Sequence, residues 1–576
     1  MPNEAHRQTG MFDTINELPD KQLARLEISW ASTFYQEAFM RIDEDIFAVL
    51  YSDKPSRPNV PINMLVGLEI LKYGCGWTDN EMHDNFTYNV QVRYALGCRD
   101  LATGHFELRT MYNFRRRMVE YQQETGENLF EKVFEQITDE QLEVLPVKTN
   151  KLRKDSTLIM SNIRQMTRIQ LLVEVLQRTH RMLSETDQEK YQEEFEPYLK
   201  GSSGQYIYNL KDGEYEASLE AIGKAMQRLE VELAEEYAEQ PYYKILQRVF
   251  EEHYIVEDNT LRPKQGQELK ADSLQSPDDW EATFRNKRGE NYQGYTFCAT
   301  ETCNPENPLQ LIVSIQTEPN NTDDAKMLEE DIPNLKERTD VDEMYIDGGF
   351  GSPDVDEASR KNEIELFQSA IRGRQPSSKK LYLSDFTWEE DEEGRPAKIT
   401  CPNDQETIVE DGRKEHRYLA YFDDEKCANC ACQDTCPTVK LKTKPYRVLR
   451  FSKEELGVAK RRKNSKELRE KGENLRSAVE ATMRSVKHSF GEKLSVRGHI
   501  RVSMAMAGSS TMTNMRRIHR YRIEKDKKKA QNQEKKQRKE IKDNSDISLS
   551  SFLISLIRNL RGLKVNFGHR FTFSSV

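Results

Sequence analysis

Residues 474–490 (NLRSAVEATMRSVKHSF) set Leu475, Val479, Thr482, Val486 and Phe490 at helical spacing, which predicts a helix with one buried stripe. At 100° per residue, Arg476, Glu480 and Lys487 fall within about 40° of one another on a second face, turned about 100° from the first. A carboxylate thus sits between two cations at the edge of a buried face. An ordinary surface helix carries the same i, i+4 pair, worth about a few tenths of a kcal/mol, so distant partners must decide between the two readings. Two strand-like runs supply candidates. Met344, Tyr345 and Ile346 end in Asp347 and open into Gly348, Gly349, Phe350 and Gly351, a short apolar strand leading into a glycine-rich turn. Asp155 lies in the run 152–160, dense in β-branched and apolar residues after the aspartate. A carboxylate at a strand end beside bare backbone suits a metal or a phosphate; a turn or cap residue looks the same.

Elsewhere the pattern separates several blocks. Residues 20–140 read as helical: Pro61 starts a helical period through Ile62, Met64, Leu65, Leu68, Ile70 and Leu71, Gly74 and Gly76 break it, and Thr78 with Glu81 forms a capping box for the next helix. A further helix from about Thr110 carries Arg115, Arg116 and Arg117. Short helices with tight turns and a basic final helix suit a DNA-binding domain of helix-turn-helix character, or a plain bundle with a solvated basic face. Residues 164–254 form two long amphipathic stripes, expected as an antiparallel helical hairpin with an acidic surface. Strands follow at 292–299 and 309–317, a helix at 323–335, a helix at 353–362 and a strand at 364–367.

Composition changes this picture in three places. A chain of 576 residues has room for three or four domains. Charged residues make up 32% and the mean hydropathy is −0.83, yet apolar and aromatic residues suffice for folded cores. No apolar run approaches membrane-spanning length and the first residues resemble no leader, so the expected location is cytoplasmic, with no membrane partner. The net charge of −11 is uneven: 184–258 is rich in Glu, while 440–469 and 515–542 are strongly basic, and local patches govern phosphate binding. Five of nine cysteines cluster. Cys401, Cys427, Cys430 and Cys436 have spacings compatible with one tetrahedral Zn²⁺, with Cys432 as surplus or alternative ligand; free thiols are the other reading. Residues 525–542 are low-complexity and charged, a solvated helix or linker, and Leu549, Phe552, Leu553, Leu556, Ile557 and Leu560 predict a final amphipathic helix that docks or self-associates.

The spacing Arg476-x3-Glu480-x6-Lys487 resembles the Tyr-x2-Arg-x3-Glu-x6-Lys signature of DDE insertion-sequence transposases, with Glu473 where the signature has Tyr. The stretches Lys154-Asp155-Ser-Thr and Tyr345-Ile-Asp347-Gly-Gly-Phe resemble that family's first and second acidic motifs, and the likeness is nearest to the insertion sequence 1182 group. Arg497-Gly498, Asn514-Met-Arg-Arg517 and residues 61–118 add to it, so it spans about residues 30–522. The resemblance implies a mixed α+β (α/β) chain with an RNase H-like catalytic core, in which the first and fourth strands are neighbours. The expected blocks are a helical N-terminal DNA-binding domain (1–145), the first core strand (146–163), a helical insertion (164–262), the core resumed (263–375), a Cys-rich insertion (376–447), the end of the core with the Glu helix (448–524), a charged linker (525–545) and a C-terminal amphipathic helix and tail (546–576). It further implies Asp155, Asp347 and Glu480 as catalytic ligands of Mg²⁺ or Mn²⁺. Such hard ions take oxygen donors, and two of them about 4 Å apart drive an in-line phosphodiester displacement. Arg476, Lys487, Arg115, Arg116, Arg117 and Arg497 are then expected on DNA phosphates. The partners would be double-stranded DNA, at inverted-repeat ends and target, and a second copy in a synaptic homodimer; the alternative is an inactive, domesticated DNA binder.

Overall fold

The computed structural model describes residues 13–51, 60–102, 104–211, 213–257, 260–369, 377, 379–391, 394–471, 475–491 and 493–562. Two compact units result, Met1–Arg516 and Arg517–Val576. The fold is mixed α+β.

At the centre of the first unit lies a sheet with five core strands: β1 (Lys151–Met160), β2 (Glu290–Thr302), β3 (Ile312–Pro319), β4 (Glu343–Ile346) and β5 (Glu365–Gln368). Their order is β3-β2-β1-β4-β5. β1 pairs antiparallel with β2 and parallel with β4, β2 pairs antiparallel with β3, and β4 pairs parallel with β5. A further strand, Thr283–Lys287, pairs with the start of β2. The expected neighbours one and four are therefore adjacent. Parallel pairing needs a crossover, and helix Asp324–Arg338, between β3 and β4, provides it. This helix buries Met327, Leu328, Ile332 and Leu335 in one cluster with Leu152, Val313, Met344 and Ile346 of the sheet.

The N-terminal helices form as their signals require. Thr78 caps helix Asp79–Tyr88 reciprocally with Glu81, and helix Ile62–Cys75 ends at Gly76 in the left-handed region (φ +74°). A Cβ on Gly76 would lie 2.4 Å from the Ser489 carbonyl oxygen, so glycine serves both the turn and the close approach. Arg338 fastens this part to the crossover helix through Glu135 (2.8 Å) and Asp139 (2.7 Å).

Three regions differ from expectation. Among the described residues, 164–254 form six helices, Arg168–Met182, Glu185–Lys190, Gln192–Leu199, Ser203–Tyr208, Tyr215–Tyr237 and Pro241–His253, around their own core of Leu172, Val175, Leu176, Ile222, Leu229 and Leu246. Side-chain caps at Ser184 and Ser202 start new helices where a hairpin would have run on. The Cys-rich stretch lies in a six-stranded sheet spanning Thr387 to Ser452, in the order Val439–Lys440, Tyr446–Ser452, Arg417–Asp423, Glu406–Asp411, Pro396–Thr400, Thr387–Glu390. Its short alternating strands bury Phe386, Ile399, Ala420, Phe422, Leu449 and Phe451. Thirdly, the charged stretch and the final amphipathic segment belong to one helix, His499–Gly562, in which Leu553 is exposed. Among the described residues no helix is long and apolar enough to cross a membrane.

Candidate active site

The register between β1 and β4 sets Arg153 opposite Tyr345. Continued two residues along both parallel strands, it brings Asp155 level with Asp347, which follows the last residue of β4 and begins the 3-10 turn Gly348–Phe350. On the other side Asp155 pairs with Ala299 of β2, a small neighbour. The third component is Arg476. Its Nη2 lies 3.2 Å from Asp155 Oδ1 and 3.8 Å from Asp347 Oδ2. Asp155 and Arg476 are largely buried, whereas Asp347 is nearly half exposed. Burial pushes the Asp155 carboxyl above the usual carboxylate range; the Arg476 guanidinium and the Ser156 amide pull it back, and Asp347 adds to the rise.

The helix expected over 474–490 is shorter. It spans Val479–Lys487, with residues 475–478 as a turn, and Asn474 and Glu473 lie outside the described residues. Arg476 therefore projects from a turn. Its carbonyl accepts from Val479 N (2.9 Å), while Arg153 Nη1 donates to the Leu475 carbonyl (2.6 Å). Val479, Thr482, Met483 and Val486 are buried, and Glu480 is exposed. Lys487 Nζ donates to the Leu158 carbonyl of β1 (3.4 Å). The site thus unites Asp155, Asp347 and Arg476, and Glu480 is exposed in the first turn of the short helix. Among the described residues no group of three or more His, Cys, Asp or Glu is disposed to hold a metal ion. Two aspartates at one level of a sheet, one of them short of solvent, nevertheless fit part of a hard cation's donor set.

The expected zinc site gains no support. Cys401, Cys427 and Cys436 pack partly buried against the cluster around Phe386 and Phe422. Cys401 and Cys430 accept hydrogen bonds from Gln405 N (3.3 Å) and Cys432 N (3.4 Å). Of the basic residues, Arg115 is committed inside the fold: its Nε lies 2.6 Å from the buried Glu69 and its Nη2 2.7 Å from Asp79. Arg115 is only 7% exposed between these carboxylates, so the fold leaves its guanidinium no open approach to a DNA phosphate, contrary to the expectation. Arg116 is exposed, 3.7 Å from Glu120, and Arg117 lies over the Tyr51 ring (4.8 Å). Arg497 is half exposed and pairs with Asp278 at 3.4 Å.

Two residues beside the site had escaped the reading of the sequence. Arg153 shares the Asp155 face of β1, two residues earlier, and Glu301 stands opposite Arg153 on β2. The available signal was a lone glutamate in the strand YTFCATET, where a charge among apolar and β-branched residues implies a buried partner.

Residues 400–519 match a family model. It describes a transposase DDE domain. No curated protein and no solved structure matches the chain. The DDE-domain match takes in about a fifth of the sequence, including Arg476, Glu480, Lys487 and Arg497, while Asp155 and Asp347 precede it. It supports a DDE transposase, a class with DNA as its partner and divalent metals as its usual cofactors.

Proposed function

We propose that this chain is a DNA transposase that cleaves phosphodiester bonds at the ends of an insertion sequence and joins the freed 3′-hydroxyl to target DNA. The observation that carries the reading is the meeting of Asp155 and Asp347 with Arg476: two aspartates level on adjacent parallel strands face an arginine from the segment that matches the DDE domain. The strand order β3-β2-β1-β4-β5, with its antiparallel and parallel pairings, supports an RNase H-like core. The likeness to the insertion sequence 1182 group belongs to the same reading.

In this reading Asp155 and Asp347 would hold Mg²⁺ or Mn²⁺, with Glu480 of the adjoining helix as a further carboxylate ligand. The bound cation supplies charge neutralisation at the phosphate and activation of the attacking oxygen. The chain's own residues position and steer. Asp155, fixed in mid-strand, sets the depth of the site, and the half-exposed Asp347 forms its rim. Arg476 exchanges its carboxylates for two oxygens of one phosphate of the DNA end, a bidentate contact that suits a guanidinium. Lys487, Arg116, Arg117 and Arg497 contact the backbone farther out and fix register without reading bases.

The test is nicking of DNA that carries the gene's own flanking ends by purified protein with Mg²⁺. Wild type is expected to cut at the ends, and Glu480→Gln to bind the same DNA while losing at least about 100-fold in cleavage. Binding without cleavage by the wild type would instead make the chain a transposase-derived DNA binder.

A further inference from the structure

The helix that bears Glu480 is joined to the sheet by a buried polar clamp. Glu301 on β2 is fully enclosed. One of its oxygens accepts from Arg153 Nε (2.7 Å) and the other from the Thr482 hydroxyl (2.7 Å), so one carboxylate ties strand β1 to the short helix. Arg153, buried itself, turns its Nη1 to the Leu475 carbonyl, immediately before Arg476. Leu475 in turn packs on Cys303, Tyr345 and Phe367, where the two aromatic rings stack at 5.2 Å. The chain from Leu475 to Thr482 is therefore gripped at both ends, and Arg476 and Glu480 lie between the grips.

A buried ion pair adds little net stability, because desolvation offsets much of the attraction, whereas breaking it leaves an uncompensated charge. What it supplies here is geometry: each partner has its hydrogen bonds in fixed directions, and a group that must meet a phosphate tolerates about an ångström of displacement or less. We infer that Glu301, acting with Arg153 and Thr482, is a positioning residue for Arg476 and Glu480, holding the segment 475–482 against Asp155 and Asp347. Glu301 touches neither DNA nor the reacting atoms. The inference rests on the cleavage reading for its kinetic arm and on the clamp alone for its structural one.

Glu301→Gln preserves the volume but removes the charge that orients Arg153. Thr482→Val removes only the hydroxyl's bond, and Thr482→Ser retains it. The variants are compared for end binding, for Mg²⁺-dependent cleavage, and for hydrogen exchange of the amides of residues 479–487. Glu301→Gln and Thr482→Val are expected to bind ends no more weakly than Arg476→Ala does, to cleave at least about tenfold more slowly than wild type, and to exchange the helix amides at least about tenfold faster. Thr482→Ser should restore both. In an Arg476→Ala background Glu301→Gln should cost a smaller fold of cleavage than in wild type, because part of its effect runs through the placement of Arg476. Equal fold losses in both backgrounds, or unchanged exchange in Glu301→Gln and Thr482→Val, would overturn the clamp. If the wild type does not cleave at all, the proposed function fails, and the exchange comparison alone decides on the clamp.

Discussion

Arg476 meets Asp155 and Asp347 with one nitrogen, and this contact sets the geometry of the proposed site. A guanidinium there lowers the proton affinity that burial has raised on Asp155, and it also repels any second cation. Arg476→Ala should therefore bind Mn²⁺ about 3- to 10-fold more tightly without DNA, as titration calorimetry would read, because a neighbouring positive charge is gone. The same variant should bind DNA ends more weakly. Weaker Mn²⁺ binding would mean that Arg476 supports the carboxylates instead of competing for them. The sequence singled out the aspartates and Arg476, since a strand ending in Asp-Gly-Gly and a spaced Arg-Glu-Lys pattern survive translation into one dimension, but not the contact between them. Arg153 and Glu301 were not singled out. They are 148 residues apart, and only the β1–β2 register makes them partners.

Several elements bind the first unit together through single polar groups. Asn514 is buried and acts as a strand for the edge of β3, its Oδ1 accepting from Ile312 N and its Nδ2 donating to the Ile312 carbonyl, both at 2.9 Å. Asn514→Ala should lower unfolding stability by about 1–3 kcal/mol, because both backbone groups lose their partner in a buried setting. Chemical denaturation checks this; a change below about 0.5 kcal/mol would show that water replaces the amide. A second such group is Glu131 on helix Leu129–Val144. It accepts from Ser503 (2.5 Å), lies near His499 of the long helix, and shares its surroundings with Glu135 and with Glu318 of β3. Burial pushes its carboxyl up to about 7. For an acid raised in the folded state, the stabilising contribution is complete below the unfolded value near 4.5 and disappears as pH rises through about 7. Glu131→Gln should therefore gain stability over wild type at pH 8 and lose that advantage by pH 4. An advantage independent of pH would contradict the assignment.

At this scale the sequence revealed helices and core strands to within a few residues, because long amphipathic periods and capping boxes are local. The second sheet escaped notice. Its strands are two to seven residues long, and their pairing is set by cross-strand packing around Phe386 and Phe422. The helix at 474–490 was overestimated because its apolar stripe runs on through the turn: Leu475 is used to anchor the turn on Tyr345 and Phe367.

For the whole molecule, a net charge of −11 coexists with a DNA-binding reading because charge is segregated. The Glu-rich stretch lies in residues 184–258, while Lys527, Lys528, Lys529, Lys535, Lys536 and Arg538 are exposed along the long helix. Replacing Lys527, Lys528 and Lys529 with Gln should weaken binding to any DNA sequence alike and reduce the slope of log affinity against log salt by about 1–2, at about 0.9 per lost phosphate contact. An unchanged slope would remove this stretch from the DNA path. Asp155, Asp347 and the exposed Glu480 are proposed to serve one metal-dependent site. The most direct measurement is end cleavage by Asp155→Cys, Asp347→Cys and Glu480→Cys in Mg²⁺ and in Mn²⁺, since a thiolate is a poor ligand for the first ion and a better one for the second. All three should lose cleavage in Mg²⁺ and at least one should regain it in Mn²⁺; wild-type cleavage rates in Mg²⁺ by any of them would exclude that residue from the site.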